Sequence, residues 1–485
     1  MPTRLPVDDQ ALALLYHARS ATPFCSDDGE PCVSVPAGVD SRHVVPLRSA
    51  AFRDWVTANF FSEYEMAPSP TAFRSALRTL EARARYGDVR PQKVDIRIGC
   101  EGDPFLPSKI IFDLANDYGE VVEITSRGWH TTDNLRHSFR QSPTTLPLPR
   151  PLESTTPSHQ SLDALARLFL LSESARARAF VWLATALRPT GPYPILVVRG
   201  PAGSGKSILA RALHAMIDPS SAPVRRLPES DREIVQLALQ NWMLVFDQVH
   251  RIPPKISEAL SAVSSGDALE IVQPDSRQPL TFQVARPVLL VAPIDETEQA
   301  WTLPRSFSNR TLAIDLEPIG AQRPEASIWP EFEALRPALV TALAETVATA
   351  LSRIRDIDLA NVGRFPDGAA WAAAAAPALG LTESAAAGAL TDPDAIWMGA
   401  DPLRDAVHAL VGRGSAWTGD PAALLQQLRA IAPLAVLPAA PRGLEQALAG
   451  IAGIELSFSK GERGESVLTV ARAGDAPQRA TVVRR

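Results

Sequence analysis

Cysteine is scarce in this chain of 485 residues, and long hydrophobic runs are missing from it. The three cysteines, Cys25, Cys32 and Cys100, have no CxxC spacing, which argues against a zinc site or a disulfide framework and favours ordinary reduced thiols. No apolar run reaches the ~20 residues that span a bilayer, and the N-terminal residues lack a signal-peptide pattern. We therefore expect a cytoplasmic protein that contacts no membrane.

Positive charge is also limited, and it comes almost entirely from arginine, because only five lysines occur among the 48 basic residues. The formal net charge is −6, whereas non-specific nucleic-acid binders are usually basic. The overall charge argues against a general DNA-binding protein, although a local basic channel stays compatible with it. The length predicts two to four domains.

The first part of the chain, residues 1–142, is expected to form an α+β domain. A helical pattern at Thr71–Tyr86 lies between Pro70 and Gly87, which suit a helix start and a helix stop. Short strand patterns follow it at Val94–Ile98, Ile110–Leu114 and Val121–Ile124. The proline- and threonine-rich residues 143–157 predict a linker.

The rest of the chain divides by pattern into four parts. Residues 158–330 begin with a strongly helical stretch, Ser161–Leu187, and then alternate strands and helices, which predicts a parallel α/β sheet. Residues 331–400 predict a helical lid or bundle. Residues 401–472 show three helical patterns followed by two strands, which is the order of a winged helix, and 473–485 are expected to be a flexible tail.

A glycine-rich loop follows an apolar strand, Ile195–Val198, and precedes a helical pattern. It has the complete GxxxxGK[ST] pattern in the strand–loop–helix context that a P-loop requires. Glycines let backbone N–H groups surround phosphates, a lysine reaches the β- and γ-phosphates of ATP, and the last hydroxyl ligates Mg²⁺. The predicted nucleotide-binding residues are Gly200, Pro201, Ala202, Gly203, Ser204, Gly205, Lys206 and Ser207.

A second buried strand ends in a carboxylate at Asp247, some forty residues after the P-loop. This is the expected place for a residue that supports Mg²⁺, although an acid after a strand is also a common turn former or helix cap. The next position holds Gln248 where a water-activating acid would be usual. Asp267 and Glu270 are possible substitutes, so hydrolysis is less certain than ATP binding.

Beyond the P-loop and Asp247, the sequence resembles ATP-binding proteins of phages and integrated mobile elements. These are similar to the helicase part of primase-helicases and are related to superfamily 3 helicases, which are P-loop ATPases of the AAA+ type. The resemblance rests on segments such as Leu114–Asp117, Val122–Thr125, Arg188–Ser207 and Ala285–Pro287, and it spans most of the chain. By analogy with this family, it implies a ring-forming ATPase that acts on DNA. The implication is an analogy because fold alone does not fix function.

Other site residues follow from this resemblance. Arg310 stands where the family places an arginine that reaches the γ-phosphate of a neighbouring subunit; Arg305 is a second candidate, and a surface arginine paired with an acid is the alternative. Strand patterns at Leu269–Gln273 and Leu280–Val284 predict a hairpin. In the related helicases such a hairpin grips DNA, so Arg277 at its turn is the candidate DNA contact, with a solvated turn as the alternative.

Two departures from the family pattern put hydrolysis in doubt. The residue after Asp247 is Gln248 instead of Asn, and the strand that ends at Ala292 and Pro293 offers no polar side chain to sense the γ-phosphate. The expected recognition helix of the winged-helix part, Arg442–Ala452, carries few polar side chains, so this part is expected to pack against protein.

Three functions remain open from the sequence. The first is a Mg²⁺-dependent ring ATPase of helicase type that acts on single-stranded DNA during replication of a mobile element. The second is an ATP-binding regulatory or scaffold protein that has lost turnover, and the third is a DNA-binding initiator that does not unwind DNA.

Overall fold

The computed structural model describes most of the chain. The described residues are 5–272 except 28, 38–40, 134–136, 154 and 155; 279–293; 309–319; 323–358; 365–391; 416–431; 454–460; 466–472; and 307, 406–407, 410–411, 444 and 448. The chain divides into two compact units, 1–293 with 304–392, and 294–303 with 393–485.

The helices, in chain order, are α1 Val7–His17, α2 Ala50–Tyr64, α3 Pro70–Tyr86, α4 Ser158–Leu168, α5 Glu173–Ala186, α6 Lys206–Ile217, α7 Asp231–Ala238, α8 Pro254–Ser265, α9 Glu325–Arg353, α10 Pro366–Leu379, α11 Glu383–Thr391 and α12 Pro421–Ile431. The strands are β1 Thr22–Cys25, β2 Pro31–Ala37, β3 Ser41–Pro46, β4 Val94–Asp95, β5 Ile98–Gly102, β6 Pro107–Asp113, β7 Glu120–Thr125, β8 Gly128–Asp133, β9 Ser138–Phe139, β10 Ile195–Gly200, β11 Leu244–Phe246, β12 Ala268–Val272, β13 Pro279–Gln283, β14 Val288–Pro293, β15 Thr311–Asp315, β16 Trp417–Gly419, β17 Ile454–Lys460 and β18 Ser466–Arg472.

The N-terminal part combines three helices with two antiparallel sheets, β1-β2-β3 and β5-β6-β7-β8. The predicted helix at Thr71–Tyr86 is confirmed as α3, whose first turn is capped by the Ser69 side chain. The predicted strand Val94–Ile98 is wrong in the middle, because Arg97 has a left-handed backbone (φ 58°) that separates β4 from β5. A left-handed residue such as Arg97 does not fit the extended backbone of a strand, so the strand is interrupted there.

A parallel sheet forms the centre of the first unit, in the order β11-β14-β10-β15. This confirms the predicted α/β core. The predicted helical stretch Ser161–Leu187 is two helices, α4 and α5, because Leu170 takes a left-handed conformation (φ 51°) and Ser172 caps a new helix at Ala175.

The long helix α9 lies inside the first unit. With the turn that follows it, Glu325–Asp356, it is long and apolar enough to cross a membrane by length and composition alone. However, 61% of its most apolar window is buried inside the protein, where it packs against α4 and α10. The alanine run Ala372–Ala376 lies fully buried in α10, as expected for a close-packed helix. We therefore assign α9 to the hydrophobic core.

The proline-rich residues 143–153 form no helix or strand, but hydrogen bonds join them to residues before and after them in the chain. Leu146 N–H donates to Pro219 O at 2.9 Å, and Leu148 N–H donates to Leu114 O at 2.9 Å. Leu152 N–H donates to the Thr341 hydroxyl at 2.8 Å, and the Leu148 side chain is buried. This stretch predicted as a linker is therefore bound along the core.

The second unit contains an antiparallel sheet in the order β16-β18-β17 and the helix α12. The two strands predicted at its end are confirmed as β17 and β18. Most of the predicted recognition helix, Arg442–Ala452, lies outside the described residues. Its Leu444 and Leu448 are buried in the same apolar cluster as the α12 leucines.

Candidate nucleotide site

The glycine-rich loop joins the carboxyl end of β10 to the first turn of α6. Gly205 (φ 81°) and Gly203 (φ 77°) have left-handed backbones that favour glycine. A Cβ on Gly200 would lie 2.6 Å from the Ser204 hydroxyl oxygen and 2.7 Å from Leu316 O, so only glycine fits there. The loop therefore leads its backbone N–H groups into a helix N-terminus, which favours an anion.

Lys206 is the first residue of α6, and its ammonium group turns back towards the loop. Its Nζ donates to Pro201 O at 2.5 Å and lies 3.5 Å from the Ser204 hydroxyl oxygen. Partial burial lowers the pKa of Lys206, and the negative charge of Asp247 opposes that shift. Asp247, which the sequence placed at this site, therefore acts on the charge of Lys206.

Asp247 directly follows β11, and one strand, β14, lies between β11 and the P-loop strand β10. Asp247 N–H donates to Arg225 O at 2.8 Å, and the Asp247 carboxylate accepts from Gln248 N–H at 2.6 Å. Gln248 has a left-handed backbone (φ 57°), and its side chain is exposed. The chain therefore turns sharply at Asp247 and holds this carboxylate at the carboxyl edge of the sheet.

The strand between them, β14, ends in Ala292 and Pro293. Ala292 is buried and pairs with Arg199 of β10. No side chain of β14 at this edge can donate a hydrogen bond to a phosphate, as the sequence indicated. The following residues up to Phe307, which include the second arginine candidate Arg305, lie outside the described residues.

Arg310 lies at the amino ends of the strands of the same sheet, opposite the carboxyl ends that the P-loop follows. It precedes β15, whose Thr311 pairs with Ile195 at the start of β10, and Ile195 N–H donates to Arg310 O at 2.8 Å. Because Gly200 is five residues further along β10, Arg310 is about 16 Å from the P-loop of its own chain. Because β15 begins just after Arg310 and runs towards the P-loop end of the sheet, Arg310 lies at the end of the sheet away from the nucleotide site of its own chain.

The Arg310 side chain is 40% exposed and is held by the loop after α8. Its Nη1 donates to the Ser265 hydroxyl, and its Nη2 lies 3.9 Å from an Asp267 carboxylate oxygen. Asp267 is therefore at the Arg310 edge of the sheet. The suggestion that it activates water at the P-loop of the same chain is wrong, because the sheet separates the two.

The predicted hairpin is confirmed by β12 and β13, which pair antiparallel from Ala268↔Gln283 to Val272↔Pro279. Residues 273–278, which include the candidate DNA contact Arg277, lie outside the described residues. Glu270 is exposed on β12 and pairs across the hairpin with Thr281.

The buried residue Asp218, which the sequence analysis did not single out, links two elements that carry the nucleotide site. Asp218 follows the last turn of α6, and one of its carboxylate oxygens accepts from Trp242 N–H at 2.8 Å and Met243 N–H at 3.1 Å. The other oxygen accepts from Arg97 Nε at 3.1 Å. Asp218 thus ties the far end of the P-loop helix to the chain that enters the Asp247 strand.

The nucleotide site lies within a segment with known relatives. Residues 162–393 match the family model described as "Actinomycete integrative conjugative element replication protein". This central segment is therefore similar to the replication protein of a mobile element. The match includes the P-loop, Asp247 and Arg310, and it confirms the predicted resemblance to replication proteins of mobile elements. No curated protein matches this chain.

Solved structures give a more distant likeness to this chain. The structure titled "The A form apo structure of NrS-1 C terminal region-CTR" has a TM-score of 0.41 and 9% identity, covering 97% of this chain and 100% of that chain. The structure titled "SCCmec type IV Cch - active helicase" has a TM-score of 0.48 and 9% identity, covering 93% and 92%. Both TM-scores lie below 0.5, so neither likeness bears on the activity of this chain.

Proposed function

We propose that this chain is a Mg²⁺-dependent ATPase of the DNA-helicase type that serves the replication of a mobile element. The observation that carries the proposal is the loop Gly200–Ser207, whose left-handed glycines lead into a helix that begins at Lys206, with Asp247 close enough to act on the Lys206 charge. A lysine and a carboxylate that face one helix N-terminus suit a triphosphate with its metal ion.

Each residue has a separate task in this proposal. The backbone N–H groups from Gly203 to Ser207 surround the phosphates of ATP, and Lys206 neutralises the β- and γ-phosphates. The Ser207 hydroxyl and the Asp247 carboxylate are the oxygen donors for Mg²⁺, which prefers oxygen ligands. The metal ion spreads the charge that develops on the γ-phosphoryl group during hydrolysis.

The position of Arg310 supports a homo-oligomeric ring. An arginine whose backbone lies about 16 Å from the P-loop of its own chain, at the opposite end of the sheet, would serve the site of a neighbouring subunit. There it would stabilise the charge of the transition state. Ser265 and Asp267 hold it near the surface, where it is 40% exposed and accessible to a neighbour.

Two parts of the chain supply the DNA contacts and the assembly in this proposal. The β12–β13 hairpin presents Arg277 to single-stranded DNA in the ring channel, where backbone contacts are independent of base sequence. We assign the second unit to a winged-helix-like domain that packs against protein, because its expected recognition helix, Arg442–Ala452, carries few polar side chains. The protein would work in the cytoplasm.

A second function is favoured by one observation, the apolar end of β14. With Ala292 and Pro293 at that edge, no side chain of this strand orients the γ-phosphate. The alternative is an ATP-binding regulatory or scaffold protein in which hydrolysis is weak or lost. Such a protein would bind ATP with Mg²⁺ and release little phosphate, whether or not DNA is present.

ATP turnover with and without single-stranded DNA separates the two functions. The proposal expects Mg²⁺-dependent phosphate release that Lys206→Ala abolishes, because this change removes the charge that faces the phosphates. Lys255→Ala, at an exposed lysine of α8, is the matched control and should keep the full rate. Equal turnover by wild type and Lys206→Ala would reject the site. ATP binding without turnover in the wild type would favour the scaffold.

A further inference from the structure

The helix α3 has two contrasting faces. Its buried stripe, Ala72, Ala76, Leu80 and Ala84, packs against α1 and the strands β1 and β2. At 100° per residue, Arg74, Arg78 and Arg85 lie within about 40° of one another and about 160° from the centre of that stripe. All three arginines are exposed, so they form a single line on the solvent side of the helix. We call Arg74, Arg78, Arg85 and the adjacent Tyr86 the α3 arginine face.

The charge of this face is not neutralised by neighbouring acids. In the part of the chain that the structure describes, no carboxylate forms an ion pair with Arg74, Arg78 or Arg85. Arg74 donates to the Thr71 hydroxyl at 3.4 Å, and Arg85 donates to Gly29 O at 3.4 Å. Both partners are neutral, so three positive charges remain on the helix surface.

The acid of α3 itself, Glu81, is already paired. Glu81 accepts two hydrogen bonds from Arg48, at 2.5 Å and 3.2 Å, and the Arg48 side chain is 80% exposed. The hydrogen bond from Arg48 lowers the pKa of Glu81, and the charges of Arg48, Arg85 and Arg78 lower it further. Since Arg48 balances Glu81, the α3 arginine face keeps a surplus of three positive charges.

An exposed aromatic ring borders this line, since the Tyr86 side chain leaves the helix about 100° from that of Arg85. Tyr86 follows Arg85 as the last residue of α3, and 87% of its surface is exposed. A tyrosine ring that buries almost no area contributes little to folding. A flat, exposed ring beside arginines is the combination with which proteins stack unpaired bases while they contact the phosphates.

We propose that the α3 arginine face binds single-stranded DNA, with Arg74, Arg78 and Arg85 on the phosphates and Tyr86 stacked on a base. Along the helix axis these arginines are separated by about 6 Å and about 10 Å, so they follow a strand and do not surround a single ion. This inference goes beyond the proposed function. It places a DNA contact on the N-terminal part, outside the hairpin and the nucleotide site.

The first test measures DNA binding by the full-length chain without ATP. Fluorescence anisotropy of a labelled oligothymidylate of about 20 nucleotides is followed between about 50 and 200 mM salt. The variant Arg74→Gln/Arg78→Gln/Arg85→Gln should bind roughly 100-fold more weakly at about 0.1 M salt, and its log–log salt slope should fall by about 2. The control Arg127→Gln/Arg167→Gln/Arg355→Gln changes three exposed arginines elsewhere and should bind like the wild type.

The second test separates base stacking from charge. Tyr86→Ala should weaken binding about tenfold, because the stacked base loses its platform. Tyr118→Ala removes another tyrosine, 70% exposed, and should have no effect. A DNA duplex with the same number of phosphates should bind more weakly than the single strand. The proposal is overturned if the arginine variant binds like its control, or if Tyr86→Ala and Tyr118→Ala behave alike. Since ATP is absent, a chain without ATPase activity still gives a clear result.

Discussion

At the scale of single residues, the carboxylate of Asp247 is the most informative position. It follows a fully buried strand and accepts a hydrogen bond from the next N–H in the chain. Asp231 makes the same bond, from Arg232 N–H at 2.8 Å, but it lies exposed on α7. The two aspartates therefore have matched local geometry and different surroundings, which makes them a useful pair of substitutions.

We expect Asp247→Asn to lower Mg²⁺-dependent ATP turnover by at least about 100-fold, because the amide is a poor ligand for Mg²⁺. Its free energy of unfolding should change by less than about 1 kcal/mol, because the replacement is nearly isosteric. Asp231→Asn should retain the wild-type rate. The measurements are phosphate release at saturating ATP and urea unfolding. Undiminished turnover by Asp247→Asn would mean that another carboxylate holds the metal.

The imidazole of His214 gives the protein a predictable response to acid. His214 lies buried in α6, its Nδ1 has no hydrogen-bond partner, and burial lowers its pKa from 6.5 to about 4. A histidine with a depressed folded-state pKa binds its proton more tightly when unfolded. Its contribution is complete above pH 6.5 and is lost as the pH falls towards 4.

Between pH 7 and pH 5, His214 should thus cost the wild type about 2 kcal/mol of unfolding free energy. His214→Gln cannot take up the proton, so its stability should fall less than that of the wild type over the same range. Urea unfolding of both proteins at the two pH values measures the difference, and other titrating groups cancel in the comparison. Parallel pH profiles would show that His214 is protonated in the folded state.

At the scale of elements, much of the core was predictable from local pattern. The alternation of strands and helices indicated the parallel sheet, and the glycine spacing located the turn from β10 to α6. Two backbone breaks were not predictable, at Arg97 and at Leu170, because both residues take left-handed conformations that their side chains do not favour. Tertiary contacts impose those conformations, and a single sequence does not display them.

The ion pair between Arg97 and Asp218 could not be predicted from local sequence pattern either. Its residues are 121 positions apart, and each looks like an ordinary charged residue in its own segment. Arg97 is 2% exposed and also donates to Asp113 O and Leu146 O, each at 3.1 Å. Periodicity could not have found this pair, because it joins strands of the N-terminal part to the end of the P-loop helix.

We expect Arg97→Met to lower the free energy of unfolding by about 3 kcal/mol, because it leaves the Asp218 charge buried without its partner. The double variant Arg97→Met/Asp218→Asn should lose less than the sum of the two single changes. Arg323→Met breaks a surface pair with Glu331 and should cost less than about 1 kcal/mol. Urea unfolding measures all four proteins. Additive losses in the double variant would show that the pair is not coupled.

At the scale of the whole molecule, each active site of the proposed ring would combine the P-loop of one subunit with Arg310 of its neighbour. The P-loop residues lie at one end of the sheet and Arg310 at the other. In the proposed ring, a site would be complete only where two chains meet. The sequence predicted both residues, the arginine by family resemblance. Only the register of β10 and β15 places them at opposite edges.

Mixing two inactive variants tests this arrangement. Arg310→Ala should lower turnover while it leaves ATP affinity almost unchanged, because the loss falls on the transition state. A mixture of Arg310→Ala with Lys206→Ala should regain part of the activity, since an intact P-loop then meets an intact Arg310. Turnover per chain should also rise with protein concentration until assembly is complete. A monomer with full activity, or a mixture without recovery, would exclude the ring.

The hydrogen bonds that hold residues 143–153 against the core limit where the gene could recombine. A recombination crossover in this proline-rich stretch would join one N-terminal half to the P-loop half of another protein. The hybrid would need an arginine in register with Asp218 and carbonyl groups in place for Leu146, Leu148 and Arg97. A hybrid without them would carry an unpaired charge in its interior. We therefore expect the N-terminal part and the P-loop part to be inherited together, although the proline-rich composition of residues 143–153 suggests a point of division.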